Sequence, residues 1–334
     1  MKILVSVPRE TEVFRTFFTE EVREQIESAG EVIWNEGHQR FTTDELKKLL
    51  PGVDVMLTGW GSPSLTDELL PHCDKLRLVA HTGGTVAGLV CDAAYEKGIK
   101  VSSGNDMYAE SVAEGCVAYF MTALRDIPLY DQRCHSGAWA MDSDFNEGLL
   151  DQTVGLIGLG SISRHLINFL KPFRCKIKVV SQHTSASELE AMGVERAELV
   201  DVFTTCKIVS VHLARTPATY HRVNRELLES MPDGTIFVNT ARGACVDEVA
   251  LSDVLSRNPK IKAVLDVFDE EPLPKYHPFR KLGNVILQPH FAGPTRDRRP
   301  YVTKRLFADA LSFLNNGTPM QYEIGMELAK YMTR

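Results

Sequence analysis

Several features common in other protein classes are absent from this sequence of 334 residues. No apolar run approaches the ~18 residues that a membrane-spanning helix needs, and the stretch from Met1 to Pro8 is too short for a signal peptide and indicates a first strand. Basic residues form no block and the formal net charge is −7, which disfavours nucleic acid as a partner. Seven cysteines lie far apart without a Cys-x-x-Cys pair, so we expect no disulfide framework, no metal site and a cytoplasmic location.

The residues that are present indicate a globular protein in which strands and helices alternate. Because a domain typically contains about 150 residues, the length of the chain predicts two domains. Apolar runs typical of strands occur at 3–7, 32–34, 53–58, 76–80, 154–157, 177–180, 208–212, 235–239, 263–267 and 285–287. Helical spacing is found at 20–29, 43–50, 109–124, 162–170, 224–230, 247–256 and 300–316. Residues 128–151, which begin with a proline, are predicted to be irregular.

The stretch from Gln152 to Gln182 combines a strand, a tight glycine turn, a helix and a second strand. This is the size and order of a dinucleotide-binding βαβ unit. Gly158 permits the turn, and the lack of a side chain at Gly160 lets a pyrophosphate approach the helix N-terminus. Ser163 stands where the third glycine of the motif is usual. Ser181 stands where an acid would hold a ribose 2′-hydroxyl, and no arginine replaces it, so NAD and NADP both remain possible.

Polar residues follow three later strands at the point where each strand ends. They are Arg242 after 235–239, Glu271 after 263–267 and His290 after 285–287. Because the carboxyl ends of parallel strands meet at one edge of a sheet, we expect the three side chains to converge. A guanidinium suits a planar carboxylate, and an imidazole beside a carboxylate suits proton transfer. A second glycine loop, from His81 to Gly88, follows another strand and predicts a further ligand position.

These stretches resemble the NAD(P)-dependent D-2-hydroxyacid dehydrogenase family over nearly the whole chain. Its signatures are matched by N-T-A-R-G (239–243), D-V-F-D-E-E-P (266–272), P-H-F-A-G (289–293) and the nucleotide loop at 154–163. The resemblance implies a Rossmann-type doubly wound nucleotide domain (105–288) inserted in a smaller flavodoxin-like α/β substrate domain (1–104 with 289–334). The sequence departs from the family at Ala87, where an acid is usual, and at Tyr108, where asparagine is usual.

The resemblance also implies a role for each site residue. Arg242 would grip the substrate, His290 would be the acid and base, and Glu271 would be its partner. Substrate contacts are expected from His81, Thr82, Gly83 and Gly84. Cofactor contacts are expected from Gly158, Gly160, Ser161, Ile162, Ser181, Gln182, His183, His212, Thr240, Ala241 and Asp266. Family members are commonly homodimers, so a homodimer is expected here.

Three functions are compatible with this sequence. The first is reversible reduction of a 2-keto acid such as glyoxylate or hydroxypyruvate. The second is oxidation of a small anion by a phosphite-type dehydrogenase of the same family. The third is a nucleotide-sensing binding protein built on the same fold.

Overall fold

The computed structural model describes residues 1–139 and 146–332, and the chain divides into two compact units. The terminal unit comprises Met1–Tyr108 and Pro294–Arg334, and the central unit comprises Ala109–Gly293. The sequence predicts boundaries at 104/105 and 288/289, whereas the units meet at 108/109 and 293/294. His290, expected in the substrate domain, therefore lies in the central unit.

The terminal unit is built on a parallel five-stranded sheet. Its first elements are β1 (Lys2–Pro8), α1 (Glu12–Phe17), α2 (Glu20–Glu27), β2 (Glu31–Asn35), α3 (Thr43–Leu49), β3 (Val55–Thr58), β4 (Leu78–His81), α4 (Asp92–Glu96) and β5 (Lys100–Ser103). The strand order β2-β1-β3-β4-β5 is that of flavodoxin-like sheets. Helix α3 begins with a capping box, in which the Thr42 hydroxyl accepts from the Glu45 N–H and the Glu45 carboxylate accepts from Thr42.

The central unit is built on a parallel seven-stranded sheet. Its elements are α5 (Asn105–Leu124, beginning four residues before the unit), α6 (Ile127–His135), β6 (Thr153–Ile157), α7 (Ser161–Leu170), β7 (Lys176–Val180), α8 (Ala186–Met192), β8 (Glu195–Arg196), α9 (Leu199–Thr205), β9 (Ile208–Val211), α10 (Arg225–Glu229), β10 (Ile236–Asn239), α11 (Glu248–Arg257), β11 (Lys262–Leu265) and β12 (Val285–Leu287). The order is β12-β11-β10-β9-β6-β7-β8. The order reverses between β6 and β9, which in a doubly wound sheet creates the ligand crevice at the carboxyl ends of the strands.

Apolar clusters cover both faces of the central sheet. Leu166, Ile167 and Leu170 of α7 pack with buried residues of β6 and β7 on one face, and α9, α10 and α11 pack on the other. Each fully buried aliphatic side chain contributes ~1.5–3 kcal/mol relative to its exposed form. The two-sided burial explains why these strands are continuous apolar runs rather than alternating ones.

The chain then returns to the terminal unit with α12 (Arg299–Asn316) and α13 (Met326–Tyr331). Helix α12 buries Val302, Leu306 and Phe307 in the core of that unit and ends at Gly317, whose φ of +69° favours glycine. Among residues 1–139 and 146–332, no helix is long and apolar enough to span a membrane.

The prediction that residues 128–151 are irregular is wrong for their first part. Residues 127–135 form α6, and Pro128 lies in its first turn. The N–H groups of a first turn have no acceptor within the helix, so the missing N–H of proline removes no hydrogen bond there. Asp126, with a φ of +51°, interrupts the helical path between α5 and α6. Trp139 is exposed, and the later part of the predicted irregular segment, 140–145, lies outside the described residues.

Candidate active site

The glycine turn after β6 has the geometry that a dinucleotide requires. Gly158 has a φ of +102°, and a Cβ there would lie 2.7 Å from the carbonyl oxygen of His212. A Cβ at Gly160 would meet no described heavy atom within 4 Å, so the space in front of this residue is open. Gly160 is also the N-cap of α7 and supplies no side-chain cap to Ser161 and Ile162. The uncapped N–H groups and the open approach fit a pyrophosphate.

Ser163 replaces the third glycine of the motif without disturbing the turn. Its side chain is fully buried, and its hydroxyl donates to the carbonyl oxygen of Gly158 at 2.8 Å. The serine therefore ties the first turn of α7 to the glycine loop.

His212 follows β9 directly beside this turn. Its Nε2 lies 2.9 Å from the Ser210 hydroxyl, while its buried Nδ1 has no hydrogen-bond partner among the described residues. Burial lowers the pKa of His212 to about 4, so the ring is neutral at pH 7. A buried ring nitrogen without a partner next to the nucleotide loop fits a polar contact to a bound ligand.

The loop after β10 presents Arg242 beside the loop after β11. Asn239 braces it, since its side chain accepts from the Ala241 N–H at 3.0 Å and donates to the Arg242 carbonyl oxygen at 3.1 Å. A Cβ at Gly243 would lie 2.0 Å from the backbone carbon of Phe268, so the two loops can pack this closely only with glycine there. Burial lowers the pKa of Arg242, and the charge of Glu271 opposes that shift.

Glu271 and His290 form a direct pair. His290 Nδ1 lies 2.8 Å from Glu271 Oε2, and the other carboxylate oxygen accepts from the Phe268 N–H at 2.9 Å. His290 has a φ of +58°, a conformation that is uncommon for residues other than glycine and that clusters at functional sites. With Nδ1 turned toward the carboxylate, Nε2 is the ring nitrogen left to exchange a proton with a ligand.

Asp266 holds the loop that carries His290. Its buried carboxylate accepts from the backbone N–H groups of Phe291 at 2.8 Å and Ala292 at 3.1 Å, and from the Tyr119 hydroxyl at 3.2 Å. The Asp266 carbonyl oxygen also accepts from the His290 N–H at 2.9 Å. The sequence predicts a cofactor contact for Asp266, and in the structure two of the hydrogen bonds to its carboxylate position the loop after β12.

Two residues of this network were not identified from the sequence. Tyr119 lies on α5, far along the chain from its partner Asp266. Glu248 begins α11, and its carboxylate accepts from the Asp269 N–H at 2.8 Å. Burial raises the pKa of Glu248 to about 7, assisted by the charges of Asp269 and Glu271. Neither partnership has a short-range sequence signal, because both join residues more than twenty positions apart.

The terminal unit positions the second glycine loop. His81 ends β4, is buried, and its Nδ1 lies 2.9 Å from the Thr58 hydroxyl. Burial lowers the pKa of His81 to about 4. The Thr82 hydroxyl donates to the Thr58 carbonyl oxygen at 3.1 Å. A Cβ at Gly83 would lie 2.3 Å from His81 Nε2, and one at Gly84 would lie 3.3 Å from the Tyr108 ring. The loop is thus closely packed by its own neighbours.

The other predicted cofactor residues lie in the central unit. Thr240 and Ala241 are buried after β10, and the Thr240 hydroxyl lies 3.4 Å from the Cys116 sulfur. Ser181, Gln182 and His183 follow β7 on a partly exposed loop. Within the described ranges, no group of three or more His, Cys, Asp or Glu residues could hold a metal ion.

Comparison with known proteins agrees with this geometry. Residues 117–292 match the family model described as D-isomer specific 2-hydroxyacid dehydrogenase, NAD binding domain. The chain belongs to the D-isomer specific 2-hydroxyacid dehydrogenase family. The dinucleotide of this family is NAD or NADP, and the doubly wound α/β fold expected from the sequence is confirmed.

Two curated relatives and one solved structure illustrate the family relationship. The chain is 32% identical over 300 residues to D-3-phosphoglycerate dehydrogenase of Methanocaldococcus jannaschii, covering 89% of this chain and 54% of that protein. It is also 32% identical over 262 residues to hydroxypyruvate reductase of Thermotoga maritima, covering 78% and 84%. A phosphoglycerate oxidoreductase from Rhizobium etli shares 25% identity at a TM-score of 0.81, covering 96% of this chain and 97% of that one. The chain spans about half the length of several D-3-phosphoglycerate dehydrogenases that it matches.

Proposed function

We propose that this chain is an NAD(P)-dependent oxidoreductase that reversibly reduces a 2-keto acid, of the glyoxylate or hydroxypyruvate reductase type. The observation that carries the proposal is the His290–Glu271 pair at 2.8 Å, with the charge of Glu271 acting on Arg242. These are the three groups that a 2-keto acid needs, namely an anchor for its carboxylate, a proton donor for its carbonyl oxygen and a partner for that donor.

Each residue has a distinct role in this proposal. The Arg242 guanidinium donates two parallel hydrogen bonds to the planar substrate carboxylate and fixes its orientation. His290 Nε2 donates a proton to the carbonyl oxygen in reduction and accepts it back in oxidation. Glu271 accepts from Nδ1–H throughout, which holds the ring orientation and stabilises the charged imidazolium. The bound dinucleotide supplies or accepts the hydride.

The remaining predicted residues stay part of the proposal. The glycine turn at 158–160, Ser161, Ile162 and His212 are proposed to hold the dinucleotide, with Ser181, Gln182 and His183 beside its ribose and Thr240, Ala241 and Asp266 near its nicotinamide. His81, Thr82, Gly83 and Gly84 are proposed substrate contacts. The homodimer also remains a proposal.

A keto-acid panel tests the reaction. The full chain is mixed with NADH or NADPH and with glyoxylate, hydroxypyruvate, pyruvate or a bulkier 2-keto acid, and the loss of reduced-cofactor absorbance is followed. Turnover with at least one keto acid is expected. Nucleotide binding without turnover on any of them would favour the nucleotide-sensing alternative. A parallel assay mixes the chain with phosphite and NAD+ or NADP+, and a gain of reduced-cofactor absorbance there, without turnover of any keto acid, would favour the small-anion alternative.

His290→Asn tests the assigned proton donor. Asparagine tolerates the positive φ of this position, so the loop should keep its conformation while the imidazole ring is lost. We expect kcat to fall by ~10²–10⁴-fold with nucleotide affinity retained. His38→Asn, at an exposed histidine of the terminal unit, is the matched control and should keep full activity. Unchanged turnover in His290→Asn would remove His290 from this role.

A further inference from the structure

The loop between β7 and α8 lacks the acid that usually selects against a 2′-phosphate. It reads Ser181-Gln182-His183-Thr184-Ser185. In dinucleotide-binding βαβ units, an acid at the end of the second strand accepts a hydrogen bond from the ribose 2′-hydroxyl and repels a phosphate there. The next acid along the chain, Glu188, is paired with Arg164 Nη2 at 2.6 Å, so it already has a cationic partner.

The structure brings an arginine to this loop from a neighbouring strand. Arg196 lies on β8, which pairs in parallel with β7 so that Arg196 stands opposite Val179. Its Nη1 donates to the carbonyl oxygen of Ser181, and its Nη2 donates to that of Thr184. The guanidinium is therefore fixed across the loop where a dinucleotide of this fold places its adenosine ribose.

The remaining chemistry of the loop also suits a phosphate. A guanidinium has five N–H donors, and the two carbonyl bonds leave three for another acceptor. The Ser181 and Thr184 hydroxyls are hydrogen-bonded to each other at 2.8 Å, which leaves one of the two O–H groups to donate to an anion. A phosphate monoester carries ~1.5–2 negative charges at pH 7, and arginine binds phosphate well because its planar fork matches two oxygens.

We propose that Arg196 recognises the 2′-phosphate of a dinucleotide, so that this chain binds NADP(H) more tightly than NAD(H). The inference rests on the proposed function, because it assigns the cofactor of that same site. The sequence shows no arginine within this loop, and Arg196 reaches the loop from β8.

A purely structural role for Arg196 makes a different prediction. If the guanidinium only clamps the loop, its removal disorders contacts to the adenosine ribose that both dinucleotides share, and both affinities fall together. If it recognises the phosphate, its removal weakens NADPH alone. The selectivity between the two nucleotides therefore separates the roles.

Isothermal titration calorimetry of the full chain with NADPH and with NADH provides the test without requiring turnover. We expect the wild type to bind NADPH at least tenfold more tightly, with this preference shrinking as salt is added. Arg196→Ala should weaken NADPH binding by ~10–100-fold and change NADH binding less than about threefold. Arg174→Ala, which removes an exposed arginine paired with Asp151 at 2.9 Å, should leave both affinities unchanged.

Ser181→Asp provides a second variant that keeps Arg196 in place. The restored carboxylate should reverse the preference toward NADH. Equal or tighter binding of NADH by the wild type, or an equal loss for both nucleotides in Arg196→Ala, would overturn the inference while the oxidoreductase proposal stands. Binding of neither nucleotide by the wild type would refute the proposed function and this inference with it.

Discussion

Ionisation of Glu248 should lower the free energy of unfolding of this protein as the pH rises, the opposite of the effect of most carboxylates. Burial, together with Asp269 and Glu271, raises the pKa of its carboxyl from 4.5 to about 7. His277 Nε2 lies 3.6 Å away, but burial and Arg280 lower the pKa of His277, so it supplies little positive charge at pH 7. The folded state therefore binds a proton at Glu248 more tightly than the unfolded state does.

The sign and size of the effect follow from linkage. A folded-state pKa above the unfolded one contributes stability that is fully present below pH 4.5 and is lost as the pH rises through about 7. These two pKa values correspond to ~3 kcal/mol, at ~1.4 kcal/mol for each pH unit. Glu248→Gln keeps an acceptor for the Asp269 N–H and cannot ionise. The variant should therefore gain ~2.5 kcal/mol relative to wild type between pH 5 and pH 8.5, because part of the total is already lost at pH 5.

Urea unfolding of both proteins at a series of pH values measures this difference. The comparison with wild type is necessary because other groups titrate in the same range. His81 and His212 have lowered pKa values of about 4, so the stability that they contribute as neutral groups is lost as the pH falls. Glu226→Gln, at an exposed residue in the first turn of α10, is the matched control and should show no such slope. A pH-independent difference between Glu248→Gln and wild type would refute the reasoning.

Three further substitutions test the packing of the site. Gly160→Val should leave the melting temperature unchanged, because the space is open, yet lower nucleotide affinity at least tenfold in calorimetry; retained affinity would contradict the pyrophosphate assignment. Gly243→Ala should reduce the free energy of unfolding by ~1–3 kcal/mol, because its Cβ would lie 2.0 Å from the backbone of Phe268. A urea midpoint equal to that of wild type would show that the loops after β10 and β11 can move apart at no cost. Asp266→Asn should reduce the free energy of unfolding by ~1–3 kcal/mol and should also lower kcat. The amide of asparagine would place an N–H donor where a carboxylate oxygen now accepts from the Phe291 or Ala292 N–H. Unchanged kcat would show that Asp266 does not position His290.

The sequence was most informative where burial on two faces forces a continuous apolar run. β6, β7, β9 and β10 are such strands, and each was predicted within a residue or two of its observed bounds. β5 (Lys100–Ser103) was missed because two of its four residues are serines. β8 (Glu195–Arg196) was missed because it is a two-residue edge strand with two charged, exposed side chains. Only its pairing with β7 defines it as a strand.

The candidate site was predictable to the extent that it depends on strand ends. Arg242, Glu271 and His290 each follow a strand of the central sheet, so the parallel order brings them to one edge. The supports of these residues were not predictable, because Tyr119 and Glu248 act through hydrogen bonds to distant parts of the chain. The helix at 127–135 was not predictable either, because the left-handed backbone at Asp126, which separates it from α5, has no sequence signal of its own.

The placement of His290 in the central unit has a consequence for how this protein can change. Arg242, Glu271 and His290 all belong to one uninterrupted length of polypeptide, Ala109–Gly293, held by hydrogen bonds that begin and end within it. Substitutions in either flanking segment therefore replace none of the residues that make those bonds. Under the proposed function, the flanking segments can therefore diverge in sequence without replacing any of the three proposed catalytic groups.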